Sequence, residues 1–177
     1  MMDTGTTHTG GPAAPSGALT SEFEPMGRLG LLALVEDHAA TLMWEGRRSA
    51  PGTTGRTCRL LHLGDLVEVW MIRWPPGGRL ELHDHGGSTG ALCVVEGTLD
   101  EHHVTGDGRV RRRRLGAGRG VAFGTSHVHD VTNHSHATAT SIHAYSPPMA
   151  SMRFYLLGPE GLTVSRTQVR GQAGWEL

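Results

Sequence analysis

Cysteine is scarce in this chain. Of 177 residues only Cys58 and Cys93 are cysteines, too few for a disulfide framework. No apolar run is long enough to cross a membrane as a helix. The N-terminal residues lack the basic-then-apolar order of a signal peptide. An excess of charge of one sign is missing too: the net charge is -1, so nothing global draws the chain to nucleic acid or to a membrane surface. Together these absences make a cytoplasmic protein without nucleic-acid or membrane partners the expectation. Aromatic residues are also few, at 5%.

Glycine is what the chain has in quantity. Twenty-six glycines and nine prolines imply many turns and short strands, and the length suffices for one domain with a real core. Residues 1–22 are rich in Thr, Gly, Pro and Ala and read as a disordered tail, leaving residues 23–177 as a single domain. Residues 27–44 have a helical pattern carried by Leu29, Leu32, Leu34, Val35, His38, Ala39, Leu42 and Met43. Gly46 and the Ser-Ala-Pro-Gly stretch at 49–52 end it. Short strand patterns then follow at 57–62, 66–74, 79–84, 90–95, 98–104, 109–115, 120–123, 128–132, 138–145 and 152–157, separated by turn residues such as 75–78 and 106–108. Such regular spacing favours a sandwich or barrel. The segment after Gly158 is less periodic and carries no assignment. The basic run at 111–114 reads as a solvated hairpin strand.

The chemistry concentrates in histidines. In a strand alternate residues share a face, so His83 and His85 point together while Asp84 points away. His129, in a second glycine-rich segment, supplies a third imidazole. His127 shares a face with His129 and is the competing third donor. A three-histidine face leaves open coordination positions for substrate and O₂, as a metal-dependent oxygenase requires. His102, His103, His134 and His136 read as surface residues. Ser141, His143 and Tyr145 also alternate, so a hydroxyl, an imidazole and a phenol share one strand face and can form a hydrogen-bond chain that satisfies them when buried. A merely satisfied polar strand face is the plainer alternative.

The spacing Gly77-x5-His83-x-His85-x4-Gly90-x6-Gly97, with Gly118-x5-Gly124-x-Ser126-x2-His129-x3-Asn133, resembles the two motifs of the cupin superfamily. The second match is partial, because Gly124 and Ser126 stand where Pro and Gly are usual. The resemblance implies an all-β double-stranded β-helix, or jelly roll, with an N-terminal helical element outside it. Most cupins place a glutamate ligand after the His pair. Gly90 stands there, so a neutral three-histidine site is expected.

Residues 70–155 resemble the cysteine dioxygenase family of thiol dioxygenases. The resemblance is carried by Trp74-Pro75-Pro76-Gly77 before His83-Asp84-His85, by His129-Asp130-Val131-Thr132-Asn133, and above all by Ser141-Ile142-His143-Ala144-Tyr145-Ser146-Pro147-Pro148. It implies a mononuclear Fe(II) on His83, His85 and His129, with Ser141, His143 and Tyr145 as a catalytic relay. The reaction implied is oxidation of L-cysteine by O₂ to cysteine sulfinic acid. In the animal enzymes a cysteine at the Gly90 position is cross-linked to the relay tyrosine; Gly90 implies no such thioether, and Cys93, three residues on, faces the other way. The family's carboxylate-binding arginine matches Arg59 in Arg59-Leu60-Leu61, although the usual tyrosine two residues earlier is Thr57. Arg56, Arg73, Arg153 and Arg166 are the alternatives, and a surface arginine is the plainer reading of Arg59. A monomer is compatible with this fold. Rival readings are a dioxygenase for 3-mercaptopropionate or another small thiol acid, a metal-binding cupin without turnover, and a cupin enzyme using another metal, since such ligands also accept Zn, Ni or Cu.

Overall fold

A computed structural model describes residues 24–44 and 55–172; the expected tail at 1–22 lies outside them. One helix, α1 (Arg28–Trp44), is followed by eleven strands: β1 (Thr57–Leu63), β2 (Glu68–Trp74), β3 (Arg79–His83), β4 (Thr89–Glu96), β5 (Thr98–Val104), β6 (Val110–Gly116), β7 (Gly120–Phe123), β8 (His129–Thr132), β9 (Ala139–Ser146), β10 (Ser151–Gly158) and β11 (Gly161–Val169). Both sheets are antiparallel, one in the order β1-β2-β9-β4-β7 and the other β11-β10-β3-β8-β5-β6. They form the β-sandwich of the cupin jelly roll. No helix among the described residues is long and apolar enough to cross a membrane.

Alternation along the five-stranded sheet sorts its residues into two cores. Ile72, Trp74, Leu92, Val94, Phe123 and Tyr145 face the other sheet and meet Leu99, Leu115, Val131, Met152 and Phe154. Val69, Ala91, Cys93, Ile142 and Ala144 face outward and are covered by Leu31, Val35 and Ala39 of α1. β9 therefore runs between two cores and is buried at every position.

The helix seats itself by Leu31, Val35 and Ala39, four residues apart and at most 2% exposed. Each fully buried Leu or Val contributes roughly 1.5–3 kcal/mol. Leu29, part of the expected apolar stripe, is instead 83% exposed. β11 is a further departure from expectation: it is an edge strand exposed along most of its length, so burial imposes no pattern on its sequence.

Candidate metal centre

His83 ends β3 and His129 begins β8, and the two are direct cross-strand partners. His85 lies two residues past His83, beyond the strand proper, where Asp84 fixes the chain. The Asp84 N–H donates to Arg153 O at 2.9 Å. Its carboxylate accepts from Arg153 N at 3.0 Å, Arg153 Nε at 2.7 Å and Tyr155 Oη at 2.7 Å. With Asp84 turned to β10, both neighbouring imidazoles turn inward. The turn then needs Gly86, whose φ is +60° and whose missing Cβ would lie 2.5 Å from Ser151 O. On the other side Asn133 closes the β2–β3 turn: its Nδ2 donates to Trp74 O at 2.9 Å, and its main chain pairs with Gly77 and Gly78.

His83, His85 and His129 bring one donor atom each within 4.8 Å of one another, and all three are buried. His85 Nε2 and His129 Nε2 are 3.2 Å apart. His83 Nδ1 donates to Glu81 O at 2.7 Å, and His129 Nδ1 donates to Glu101 Oε1 at 2.8 Å. Those bonds place the protons on Nδ1 and leave the Nε2 lone pairs facing the shared space. Burial and the other imidazoles push His83 and His85 well below the usual imidazole pKa. His129 is lowered as well, burial outweighing the pull of Glu101. Three neutral, convergent nitrogens fit a divalent metal ion.

Glu101, His127 and His129 form a second cluster of the same tightness. Its carboxylate is already committed. Glu101 Oε1 accepts from His127 Nε2 at 2.9 Å and from Arg113 Nη2 at 2.9 Å, while Oε2 accepts from Arg113 Nε. Burial opposes ionisation of Glu101, but His127, His129 and Arg113 more than offset it and hold the carboxyl far below its usual range. This second cluster is a hydrogen-bonded support behind His129. Sequence reading missed Glu101 and Arg113. Arg113 is half-buried where the rest of the basic run is exposed, and His103 is half-buried as well, its ring 5.6 Å from that of His127. Arg112 and Arg114 do face outward, where both bind Asp100.

Ser141, His143 and Tyr145 line the inner face of β9. Trp74 Nε1 donates to Ser141 Oγ at 2.9 Å, Ser141 Oγ lies 2.8 Å from His143 Nε2, and His143 Nδ1 lies 3.2 Å from Tyr145 Oη. An indole only donates, so Ser141 accepts from Trp74, and its own proton is free to be given to His143 Nε2. In the tautomer that accepts this proton, His143 carries its own on Nδ1 and donates to Tyr145. Burial lowers the His143 pKa to about 3, which keeps it neutral. The Tyr145 proton is left to point out of the chain, beside His85, with 5.1 Å between ring centroids. Burial raises the Tyr145 pKa above its usual value, so the phenol stays protonated.

The sequence profile described as cysteine dioxygenase type I matches residues 49–156. The chain belongs to that family. Solved structures share the cupin fold with this cysteine dioxygenase-family chain at low identity. Recombinant oxalate oxidase in complex with glycolate is 18% identical, with a TM-score of 0.51 over 63% of this chain and 64% of its own. The chain thus spans less than two thirds of that enzyme. A Bacillus halodurans protein is 21% identical, with a TM-score of 0.51 over 73% of this chain and 83% of its own. A Thermus thermophilus protein is 16% identical, with a TM-score of 0.51 over 59% of this chain and 94% of its own.

Two expectations drawn from the cysteine dioxygenase resemblance fare differently in the structure. Gly90 pairs with Tyr145, and a Cβ there would lie 2.2 Å from Phe123 Cε2. The Phe123 ring thus fills the place of any side chain, while Cys93 lies under α1. Arg59, by contrast, is not brought to the metal centre. It is exposed and pairs with Met71 on the helix side of the sheet. Arg56 and Cys58 take the inner side: Cys58 packs into the inter-sheet core, and Arg56 Cζ lies 5.6 Å from the Trp74 ring centroid. A shift in the β1 match moves the guanidinium to the opposite face. Among the other candidates, Arg73 lies on the outer side of β2, Arg153 is bound to Asp84, and Arg166 binds Glu81 over the Phe154 ring.

Proposed function

We infer that the chain is an Fe(II)-dependent thiol dioxygenase that converts L-cysteine and O₂ to cysteine sulfinic acid. One observation carries the reading: a three-nitrogen donor set and a Trp74–Ser141–His143–Tyr145 hydrogen-bond chain meet at His85. Binding alone has no need of the second component. The reaction balances as RSH + O₂ → RSO₂H, with sulfur losing four electrons and O₂ gaining them.

His83, His85 and His129 would hold the metal. When bound, such an ion supplies a Lewis acid for a thiolate sulfur and the redox chemistry through which O₂ reacts with it. Arg56 is the best-supported carboxylate partner. Its positive charge acts on His83, His143 and Tyr145, and a guanidinium can grip a carboxylate in bidentate fashion. Tyr145 would donate its remaining proton to an oxygen arriving at the sulfur, with its direction set by His143 and Ser141. Phe123 and Phe154 pack against His85 and His83 and limit water at the reacting atoms. Cys58 and Cys93 are thiols rather than a disulfide, which suits the reducing cytoplasm.

The test is O₂ uptake by the Fe(II)-loaded protein with cysteine, 3-mercaptopropionate and larger thiol acids. The account expects cysteine to have the highest kcat/KM. It expects Arg56→Gln to raise KM for cysteine by a larger factor than it lowers kcat. Preference for 3-mercaptopropionate would replace the substrate and keep the reaction class. No uptake with any thiol, despite bound iron, would remove the reaction.

A further inference from the structure

The carboxylate behind His129 has a place in the site that the three donors and the relay leave unassigned. Glu101 sits on β5, two positions from His103, the cross-strand partner of His129, and on the face shared with Arg113 of β6. It is fully buried. It holds two imidazoles at once, His129 through Nδ1 at 2.8 Å and His127 through Nε2 at 2.9 Å, with Arg113 closing the network from the other side. His127 is the other histidine on this segment with a nitrogen within donor reach of His129.

We propose that Glu101 is a positioning residue of the metal centre, fixing His129 with Nε2 as its donor atom, increasing the basicity of that imidazole, and holding His127 out of the donor set. A carboxylate accepting the Nδ1 proton makes the far nitrogen a stronger donor. Arg113 sets how strong that effect is: by sharing both carboxylate oxygens it withdraws charge that would otherwise act on His129. Glu101 and Arg113 therefore act on the same imidazole with opposite sign. The Nε2 of His127 is occupied by the same oxygen that binds His129, so losing the carboxylate both weakens one donor and releases a competitor.

The inference rests on the metal-centre reading, and its test separates the two. Metal affinity is measured by anaerobic chelator competition, and the midpoint potential of the bound iron by redox titration, for the parent chain and for Glu101→Gln, Arg113→Gln and Asp100→Asn. Glu101→Gln is expected to weaken metal binding about 10- to 100-fold and to raise the potential. Arg113→Gln is expected to lower the potential, because the carboxylate is relieved of its cation. Asp100→Asn removes the neighbouring carboxylate on the outer face and should keep the parent potential. Opposite shifts from two bonded partners are not the signature of general loosening. If Glu101→Gln does not fold, the Arg113→Gln shift decides alone. Potentials equal to the parent's in whichever of the two variants fold overturn the role of Glu101 and leave the metal centre standing. A parent chain that retains no metal overturns both.

Discussion

At Gly90 the absence of one carbon shapes the site. The Phe123 ring rests against the backbone there and stacks on His85, so even a methyl group forces a buried ring to move. Gly90→Ala is expected to cost about 1–3 kcal/mol through overpacking, read as a lower midpoint in urea unfolding. An unchanged midpoint would show that Phe123 yields easily. The two candidate third donors separate by mutation as well. His129→Ala should abolish metal retention after gel filtration, whereas His127→Ala should leave it intact, because Glu101 keeps its bond to His129. The reverse pattern would reassign the donor. For Tyr145→Phe the expectation is retained metal with a reduced kcat, since only the terminal proton of the hydrogen-bond chain is lost. Turnover equal to the parent's would take Tyr145 out of the mechanism.

Elements explain which of these residues were legible in the sequence. His83 and His85, and Ser141, His143 and Tyr145, could be read together because alternation along one segment is local. Glu101 could not, because it reaches His129 only through the β5–β8 register, 28 residues away. Arg113 was hidden within a run of four arginines, although alternation along β6 alone sends it inward while Arg112 and Arg114 face out. Arg59 failed for the same reason of register: β1 is a short edge strand with a bulge near Leu60, and a motif match carries no information about which face it presents. β11 lacked a pattern because it is exposed along most of its length among the described residues, and its Thr and Val content was the remaining signal.

The strand pairs also carry their own prediction. Asp100 is buried beneath the Arg112 and Arg114 guanidiniums. Its hydrogen bond from Arg114 lowers its pKa, burial opposes this, and Arg112 adds to the lowering. A carboxyl depressed in the folded state stabilises above its unfolded pKa, about 3.9, and that contribution is lost as pH falls through the folded value. The stability gap between the parent and Asp100→Asn should therefore be full at neutral pH and shrink below about pH 4. Urea unfolding across that range checks it, and a gap independent of pH would contradict it.

At the scale of the whole molecule, the sandwich sets three neutral imidazoles, two from one sheet and His85 from the segment that follows β3, against a polar row from the other sheet. β3, the segment just after it and β8 provide the donors, and the inner face of β9 provides the hydroxyls. α1 covers the opposite side of β9, so the strand that carries Tyr145 is packed on both faces. Jelly-roll folds serve many reactions, and the oxalate oxidase likeness conveys the fold alone. What favours the proposed thiol oxidation is family membership together with that row. The measurement that tests it most directly is product mass spectrometry after turnover of cysteine under ¹⁸O₂ by the Fe(II)-loaded protein. The account predicts a sulfinic acid in which both sulfur-bound oxygens carry the label. Disulfide, or a product whose oxygen comes from water, would contradict it.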